Sequence, residues 1–556
     1  MTKKFLKDLM AALIIIFGVF CFISIQNNYD NYDVKIDINL ENLSSKEIDE
    51  YLAKDIRNEF IKNEKIKDIT IFSKENNCSV YFKIKNSVLN KENTKNDIQK
   101  GIYKLLSNKK NINKITTEYD YNLKYQTFLV LTLKNENQKD SYLKIKKISD
   151  EILSDIGALK ITSKISLFGV KNPALYLYFK DSDLVQYDLS LEDIKNLIKK
   201  NNLLETSTTK TNDFTSRNIN LNSSIKNEDD LKNISLNFKN KLFATTFSQI
   251  FNITKEIQKP QSYLVSFDDK ESVVFALSKK SFYPNFLFDL KLKNFAKNLD
   301  KLYGDSFEYK ILNTNELEKI EVFTNKNASI NYSFNLYSRL CVLFNENKIE
   351  NVLYFISKSC PKISKNELYF EDDKNKITLL VSKNKARKVR KILENERINY
   401  LKKNEHIITL YSKNLDILSS KISQFEANFP LIINETTNKT LQIDYLCDKY
   451  NYSDYFISKK DIKNTLFSMN DGLKADYYFD GLSSNIPIIL KNEINKKDIF
   501  VYSKTLKSLI SLNTLCKTSY EEKFETIVRK NNSYYANFYI DLKNNHDRKI
   551  LNSLIK

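Results

Sequence analysis

Leu189-Ser190-Leu191-Glu192-Asp193-Ile194-Lys195-Asn196 and Ile457-Ser458-Lys459-Lys460-Asp461-Ile462-Lys463-Asn464 follow one pattern. In each, an apolar residue precedes a serine, and an aspartate stands three positions after it. That spacing is a capping box, in which serine and acid each satisfy a backbone N–H of the other at a helix start. Both stretches therefore predict a helix N-terminus. Asp230-Leu231 and Asp498-Ile499 follow downstream, and one spacing of 268 residues relates both pairs of segments. An internal duplication accounts for the agreement.

The elements around the two stretches repeat as well. In residues 34–40, Val34, Ile36, Ile38 and Leu40 share one face, as in a half-buried strand. Ser44 and Ser45 open a helix with Ile48, Leu52, Ile56 and Phe60 at four-residue spacing. Strands at Ile66–Ser73 and Ser79–Ile84 and a helix at Asn93–Leu106 complete the start of a split βαβ unit, the ferredoxin-like arrangement. The order returns at Phe128–Leu133 (strand), Tyr142–Leu153 (helix), and Lys160–Phe168 and Ala174–Phe179 (strands). It returns again at His406–Tyr411, Leu415–Phe425, Leu431–Glu435 and Thr440–Leu446.

Leu9 to Ile25 carries no charge, and with its flanks is long enough to cross a hydrocarbon core of ~30 Å. Lys3, Lys4 and Lys7 precede the run, and Asp30 and Asp33 follow. The positive-inside bias sets the N-terminus in the cytoplasm and the rest outside. The run is long for a signal peptide and lacks a small-x-small cleavage site, so a retained anchor is the better reading. The excess of 88 Lys+Arg over 69 Asp+Glu is spread along a chain rich in Asn, Ile, Tyr and Phe with no Trp. Such a spread reflects base composition rather than a nucleic-acid stripe. Six cysteines (Cys21, Cys78, Cys341, Cys360, Cys447, Cys516) show no metal-ligand spacing, and those beyond the anchor are expected to be small core residues. Two isolated histidines and seven scattered glycines offer no triad, zinc motif or phosphate loop, so no catalytic residue, metal or cofactor is assigned.

Leu167-Phe168-Gly169, Ala174-Leu-Tyr-Leu and Asp183-Leu184-Val-Gln-Tyr187-Asp-Leu189-Ser190-Leu-Glu-Asp193-Ile194 resemble a segment of the resistance-nodulation-division (RND) efflux permeases, acriflavine-resistance type. There, a pore-domain strand runs into the helix of the funnel-docking domain. Ile219–Leu221 with Glu228-Asp-Asp-Leu231-Lys-Asn233-Ile234, and Lys259-Pro260-Gln-Ser262 with Phe267–Leu277, resemble that domain's edge strand and exit.

The resemblance implies an α+β chain: one transmembrane helix, repeated ferredoxin-like porter subdomains, two docking-type inserts and pseudo-duplicated halves. Residues 1–33 would be the cytoplasmic tip and anchor, and 34–120 the first N-half porter subdomain. Residues 121–182 with 266–325 would form the second, interrupted by an N-half docking domain at 183–265. A connector at 326–344 would stand in place of a membrane bundle. In the C-half, 345–403 and 404–450 with 531–556 would be porter subdomains, the latter incomplete, around a docking domain at 451–530.

By the same resemblance Phe128, Phe168 and Leu277 match substrate-pocket positions, and no proton relay is present. The implied protein is a truncated efflux component of the bacterial inner membrane, its bulk periplasmic, that binds small amphiphilic substrates. Its implied partners are two further copies in a homotrimer, a periplasmic adaptor, an outer-membrane channel and a separate multi-span membrane subunit, with no nucleic acid. The alternative is a non-transporting anchored envelope scaffold or assembly factor, or a degenerate gene product.

Overall fold

The computed structural model describes residues 33–540 and Leu551, apart from 42, 86, 89, 108, 110, 120–123, 135–140, 203, 213–214, 223–224, 237–244, 259–262, 281–282, 324–329, 358–375, 401–405, 430–432, 435–436, 480–484 and 494–497. The expected anchor at 9–25 lies outside the described residues. Among those described, no helix is long and apolar enough to cross a membrane. The protein is a mixed α+β chain with several antiparallel sheets.

The alternation in Val34–Leu40 does what its period requires, burying Val34, Ile36, Ile38 and Leu40. Ser44 caps the following helix: its hydroxyl accepts from the Glu47 N–H, and the Glu47 carboxylate accepts from the Ser44 N–H. Ser45–Ile48 leads through a π-helical turn, Asp49–Ala53, into Lys54–Phe60. Ile48, Leu52, Ile56 and Phe60 lie in one core with Ile98 and Ile102 of the Lys91–Leu106 helix. The four strands of this unit are all antiparallel, in the order Ile112–Tyr119, Val34–Leu40, Asn77–Ile84, Ile66–Lys74.

A second unit has the same order: Phe307–Asn313, Thr127–Leu133, Lys270–Lys279, Thr162–Phe168. The helices Ser141–Ala158 and Asn285–Tyr303 supply Ile152, Ile156, Phe288 and Leu292 to the core on one of its faces.

Sheets continue from unit to unit rather than closing. The strand Leu264–Phe267, which turns into Lys270–Lys279, pairs along its length with Leu353–Ile356 and so carries the second sheet into a third unit. Likewise Cys516–Lys530, which turns into Ser533–Ile540, pairs through Thr526–Lys530 with Ile66–Lys74 of the first unit.

The two turns have one chemistry. Asp268 and Asn531 both take positive φ (57° and 51°). The Asp268 N–H donates to Val352 O (2.8 Å), and its Oδ1 accepts from Val352 N (2.9 Å). The Asn531 N–H donates to Ile69 O (2.8 Å), and its Oδ1 accepts from Ile69 N (3.0 Å). Asp and Asn tolerate this left-handed conformation better than other side-chain-bearing residues. Each thus pins its turn to a strand of another unit. Beside Asn531, Arg529 donates through Nε and Nη2 to the two Asp49 oxygens (2.5 and 2.7 Å), all of them buried.

Two boundaries differ from the sequence reading. Leu317–Phe323, assigned to the second N-half subdomain, pairs instead with Lys376–Ser382 as an edge strand of the third unit. The stretch read as a connector at 326–344 contains most of the helix Ile330–Glu346. Its Leu340 and Phe344 share a core with Ile320, Val322, Ile377 and Leu379. The apolar residues of that helix find their burial in the third unit, which therefore begins at Leu317 rather than at 345.

Between the units, Pro173–Phe179 and Asn252–Ile257 form a sheet with Leu473–Phe479 and Asn485–Asn492, contributed from the far half of the chain. The contact between halves is parallel, Asn485–Asn492 along Pro173–Phe179. Side chains from both halves make one core here, including Leu177, Ile194, Phe247, Ile488 and Leu490. Both predicted capping boxes are present, at Ser190–Asp193 and Ser458–Asp461.

The cysteine expectation holds for Cys78 and Cys341, which are buried thiols, while Cys21 and Cys360 lie outside the described residues. It fails for Cys447 and Cys516, which form a disulfide. The strands Asn438–Cys447 and Cys516–Lys530 bring the two residues directly opposite each other. Closing a loop of 69 residues restricts the unfolded chain by about 4 kcal/mol in the chain-entropy account.

Replacing Asn531 tests the pinned turn. Asn531→Ala loses the side-chain acceptor and puts a Cβ-bearing residue without local hydrogen bonding at positive φ, so a loss of roughly 2–3 kcal/mol is expected. Asn531→Gly keeps the backbone conformation and loses the two side-chain hydrogen bonds, from Ile69 N and to Asp68 Oδ1, roughly 1–2 kcal/mol. Urea unfolding midpoints of the two variants give both numbers.

Candidate functional site

One face of the second unit carries the helices, and the other faces the third unit. On Thr127–Leu133, Phe128 and Val130 point away from the helices, opposite Ala276 and Val274. Phe168 lies opposite Val274 on the next strand and so joins the same face. The following Gly169 has φ +86°, and a Cβ there would come within 2.2 Å of the Ser272 carbonyl oxygen. The Leu-Phe-Gly sequence is thus a close approach that only glycine permits. Polar groups on this face are paired with each other: Tyr125 with Ser166 (2.7 Å) and Thr132 with Ser272 (2.9 Å).

Of the three residues singled out from the sequence, the fold brings Phe128 and Phe168 together in one buried layer. Leu277 lies on the opposite face, in the core with Phe275, Phe288 and Leu292 under the helices. The third unit completes the layer with Leu317, Leu353, Phe355 and Leu380. The rings of Phe168 and Phe355 meet edge to face with centroids 5.8 Å apart. Sequence reading missed Phe355 and its neighbours. Their signal was the unbroken apolar run Leu353-Tyr354-Phe355-Ile356, which marks a strand covered on both faces.

Along the same face of the third unit the surface turns from apolar to charged. Thr378 sits opposite Phe355 on one side and Glu321 on the other. In the next row, Leu380 sits between Leu353 and Lys319. Lys319 and Lys376 both bring their ammonium groups to Glu321 Oε1, at 2.5 and 2.8 Å. Burial alone would raise the Glu321 pKa, but Lys376 and Lys319 override it and hold the carboxylate at about 2. The Thr378 hydroxyl is buried, and its Oγ1 has no hydrogen-bond partner.

A second constellation lies where the halves meet around the Leu191–Asn201 and Lys459–Met469 helices. Lys460 donates to Glu192 (2.8 Å), although the two are 268 residues apart and hold the same place after their capping serines. Lys504 donates to Asp193 (2.9 Å), and Tyr502 to Asp188 (2.7 Å). Asp188 has φ 51°, and so does Phe456, at 55°, just before the second capping box. Carboxylates from the first half meet lysines from the second at these pairs, while Lys180 and Glu493 (3.8 Å) cross the seam in the opposite sense.

No group of three or more metal-ligating side chains occurs among the described residues. By class this is a mixed α+β protein whose units meet across helix-free sheet faces. A sequence model of the AcrB/AcrD/AcrF family matches residues 1–281, just over half of the 556-residue chain, and the chain belongs to this family of RND efflux transporters. No curated protein matches it.

The charged row makes a prediction about acid. Glu321 has a depressed pKa in the folded protein, so its stabilising contribution is complete above the ordinary carboxylate value of 4.5 and is lost as pH falls toward about 2. Glu321→Gln leaves both lysines without this carboxylate and should cost roughly 3 kcal/mol at pH 7. The gap from the parent protein should narrow steadily between pH 4.5 and 2. Urea midpoints across that range would show it; a pH-independent gap would remove Glu321 from the acid response.

Proposed function

We propose that this chain is the porter and docking portion of an RND-type efflux assembly, held in the cell envelope with its folded mass outside the cytoplasm. In this reading the three units described, together with the sheet built on His406–Ser412, Cys516–Lys530 and Ser533–Ile540, are ferredoxin-like porter subdomains, the segments meeting at the ionic seam are docking inserts, and the two halves are duplicates. The Cys447–Cys516 disulfide supports an oxidising location.

The observation that carries the reading is the aromatic layer of Phe128, Phe168 and Phe355 between helix-free faces of two units. Apolar area without obligatory hydrogen bonds suits varied amphiphiles, held by burial at ~25 cal/mol per Å². The two faces are joined through Leu264–Phe267, which is paired with its own unit by only Ser266 and Phe267. Parting them along that strand would admit a ligand. An adaptor, an outer-membrane channel and a separate multi-span subunit that carries protons are the partners this role calls for.

Purified full-length chain in a neutral detergent should bind an apolar dye whose fluorescence rises on burial. Phe168→Ala or Phe128→Ala should weaken binding about tenfold, the effect of one lost aromatic contact of 1–2 kcal/mol. Leu277→Ala should lower stability and leave affinity within a factor of two. Equal loss of affinity in all three variants would defeat this placement of the pocket.

The assembly proposed is a ring of identical copies. The hairpin Leu473–Phe479/Asn485–Asn492 covers the edge of Pro173–Phe179 within the chain. Its counterpart 268 residues earlier, Leu204–Asn212/Thr215–Asn222, pairs only with itself among the described residues. The edge it would cover, Asn438–Cys447, is paired on one side only among the described residues and exposes Ile443 and Leu446. An interface filled once within the chain and left open once closes head to tail with further copies, three of them by the family resemblance. Moving the Ile488–Leu175 register by the repeat spacing puts Asn220 of one copy beside Ile443 of the next. Cysteines at those positions on separate molecules should cross-link under oxidation, and a chain that stays monomeric at tens of micromolar by light scattering would refute the ring.

A further inference from the structure

Strand ends of the first two units meet at one corner. Val34 opens its strand opposite Phe82 and Tyr119, and Lys279 closes its own opposite Thr162. Glu118 lies opposite Lys35, Lys164 lies opposite Ser278, and the two form an ion pair that joins these ends. The helix Asn285–Tyr303 starts here too: the Lys279 ammonium donates to Tyr283 O (2.9 Å), and the Tyr283 N–H donates to Lys280 O (3.0 Å).

The first turns of that helix are apolar outside as well as inside. Phe288 and Leu292 are buried, yet Phe286, Leu287 and Leu290 are 45 %, 36 % and 54 % exposed. Lys291 and Lys293 are exposed beside them, and Asp289 is the one acid between Lys279 and Leu299. At the same corner of the first unit, Ile61 and Tyr119 are exposed, as are Lys62, Lys65 and Lys85, and the Lys85 N–H donates to Lys65 O.

The chain also enters the fold at this corner. Seven residues, 26–32, separate the expected anchor at 9–25 from Asp33, and an extended chain of that length spans no more than about 30 Å. Asp33 is fixed to the sheet by its N–H, which donates to Phe82 O (2.8 Å), and by its Oδ2, which accepts from Ile84 N (2.6 Å). From the same corner Thr162–Phe168 runs outward, and the chain leaves the second unit from the far end of that strand.

We propose that the exposed turn of Phe286, Leu287 and Leu290 rests in the interface of a membrane containing anionic lipid, with Lys291 and Lys293 held toward its phosphates. The inference goes beyond the porter reading and rests on it for the anchor at 9–25. An apolar tip with lysines beside it is the pattern of helices that sit in a lipid interface, whereas the cores of protein interfaces are depleted in lysine. Lysine stems lie along apolar surface while their ammonium groups reach the head groups. Their attraction to an anionic surface acts through charge and requires no donor free of other contacts, so the approach of Lys291 to the Tyr283 ring (5.3 Å) is compatible with it.

The test places an environment-sensitive fluorophore at Leu287→Cys or Leu290→Cys in the full chain. The background is Cys21→Ser with Cys360→Ser, since Cys78 and Cys341 are buried and Cys447 and Cys516 are joined. Leu302→Cys is the control, 69 % exposed and about 22 Å further along the helix axis than Leu287. In nanodiscs of phosphatidylcholine and phosphatidylglycerol, lipid bearing a head-group nitroxide should quench the first two probes about twofold and leave the third nearly unchanged. Lys291→Gln with Lys293→Gln should lower that quenching to its value in pure phosphatidylcholine, and Phe286→Ser with Leu290→Ser should remove it from the Leu287 probe. All these positions are exposed, so the variants keep the fold. Quenching at Leu287 no greater than at Leu302 would overturn the contact and leave the porter reading standing. Shielding of Leu287 from aqueous iodide without quenching by the lipid would put protein there and overturn it equally. Equal quenching in neutral and anionic discs would remove the anionic lipid from the proposal. A chain that fails to float with vesicles of either composition would overturn the anchored porter reading itself.

Discussion

Two hairpin turns hold this protein together across its length. Asp268 and Asn531 sit in the left-handed conformation, and each uses both its backbone N–H and its side chain to grip a strand of another unit. The short strand Leu264–Phe267 shows what this achieves. It is paired along its length with Leu353–Ile356 and by only two residues with Lys270–Lys279, to which the turn connects it. A strand lent to a neighbour ties two units by backbone hydrogen bonds that neither could leave unmade. The buried Asp49–Arg529 pair does similar work beside the other turn, where losing one partner would strand a charge. Because the units are joined in this way, their helix-free faces meet, and the aromatic layer exists only as a consequence.

Much of the local architecture is legible from residue order. Val34–Leu40 alternates and is a strand, Ser44 and Glu47 cap a helix, and the two serine–aspartate boxes stand where their spacing puts them. These features are set by neighbours within a few residues. What is not legible is the choice of partner. Leu317–Phe323 has the composition of a strand, but nothing in Leu-Glu-Lys-Ile-Glu-Val-Phe says whether it extends the unit before it or opens the one after. The pairing with Lys376–Ser382 is decided by edges that become neighbours only after both units have formed. Cys447 and Cys516 present the same difficulty: they are 69 residues apart, and only the strand register sets them face to face.

The site illustrates how finely register matters. Phe128 faces Ala276, so Leu277 necessarily points to the other side of the sheet. A shift by one residue exchanges the helix side for the layer side, and sequence similarity does not resolve a single step. Phe128 and Phe168 fall together because Val274 and Ala276 lie between them on the central strand. The charged row was hidden for a different reason. Lys319, Glu321 and Lys376 read as ordinary surface residues in a lysine-rich chain, and their burial appears only once the two strands that carry them are paired.

The cystine between Cys447 and Cys516 also shapes how the protein bears load. It bridges the two strands where the chain leaves the ribbon after Cys447 and rejoins it at Cys516. A pull on the segment between the cysteines passes into both strands of the ribbon at once, while a pull along the main chain crosses the sulfur bridge and bypasses everything between. The segment inside is thus shielded from tension carried by the rest of the polypeptide, and can be tugged, tilted or released by whatever grips it without unravelling the sheet to which it is attached.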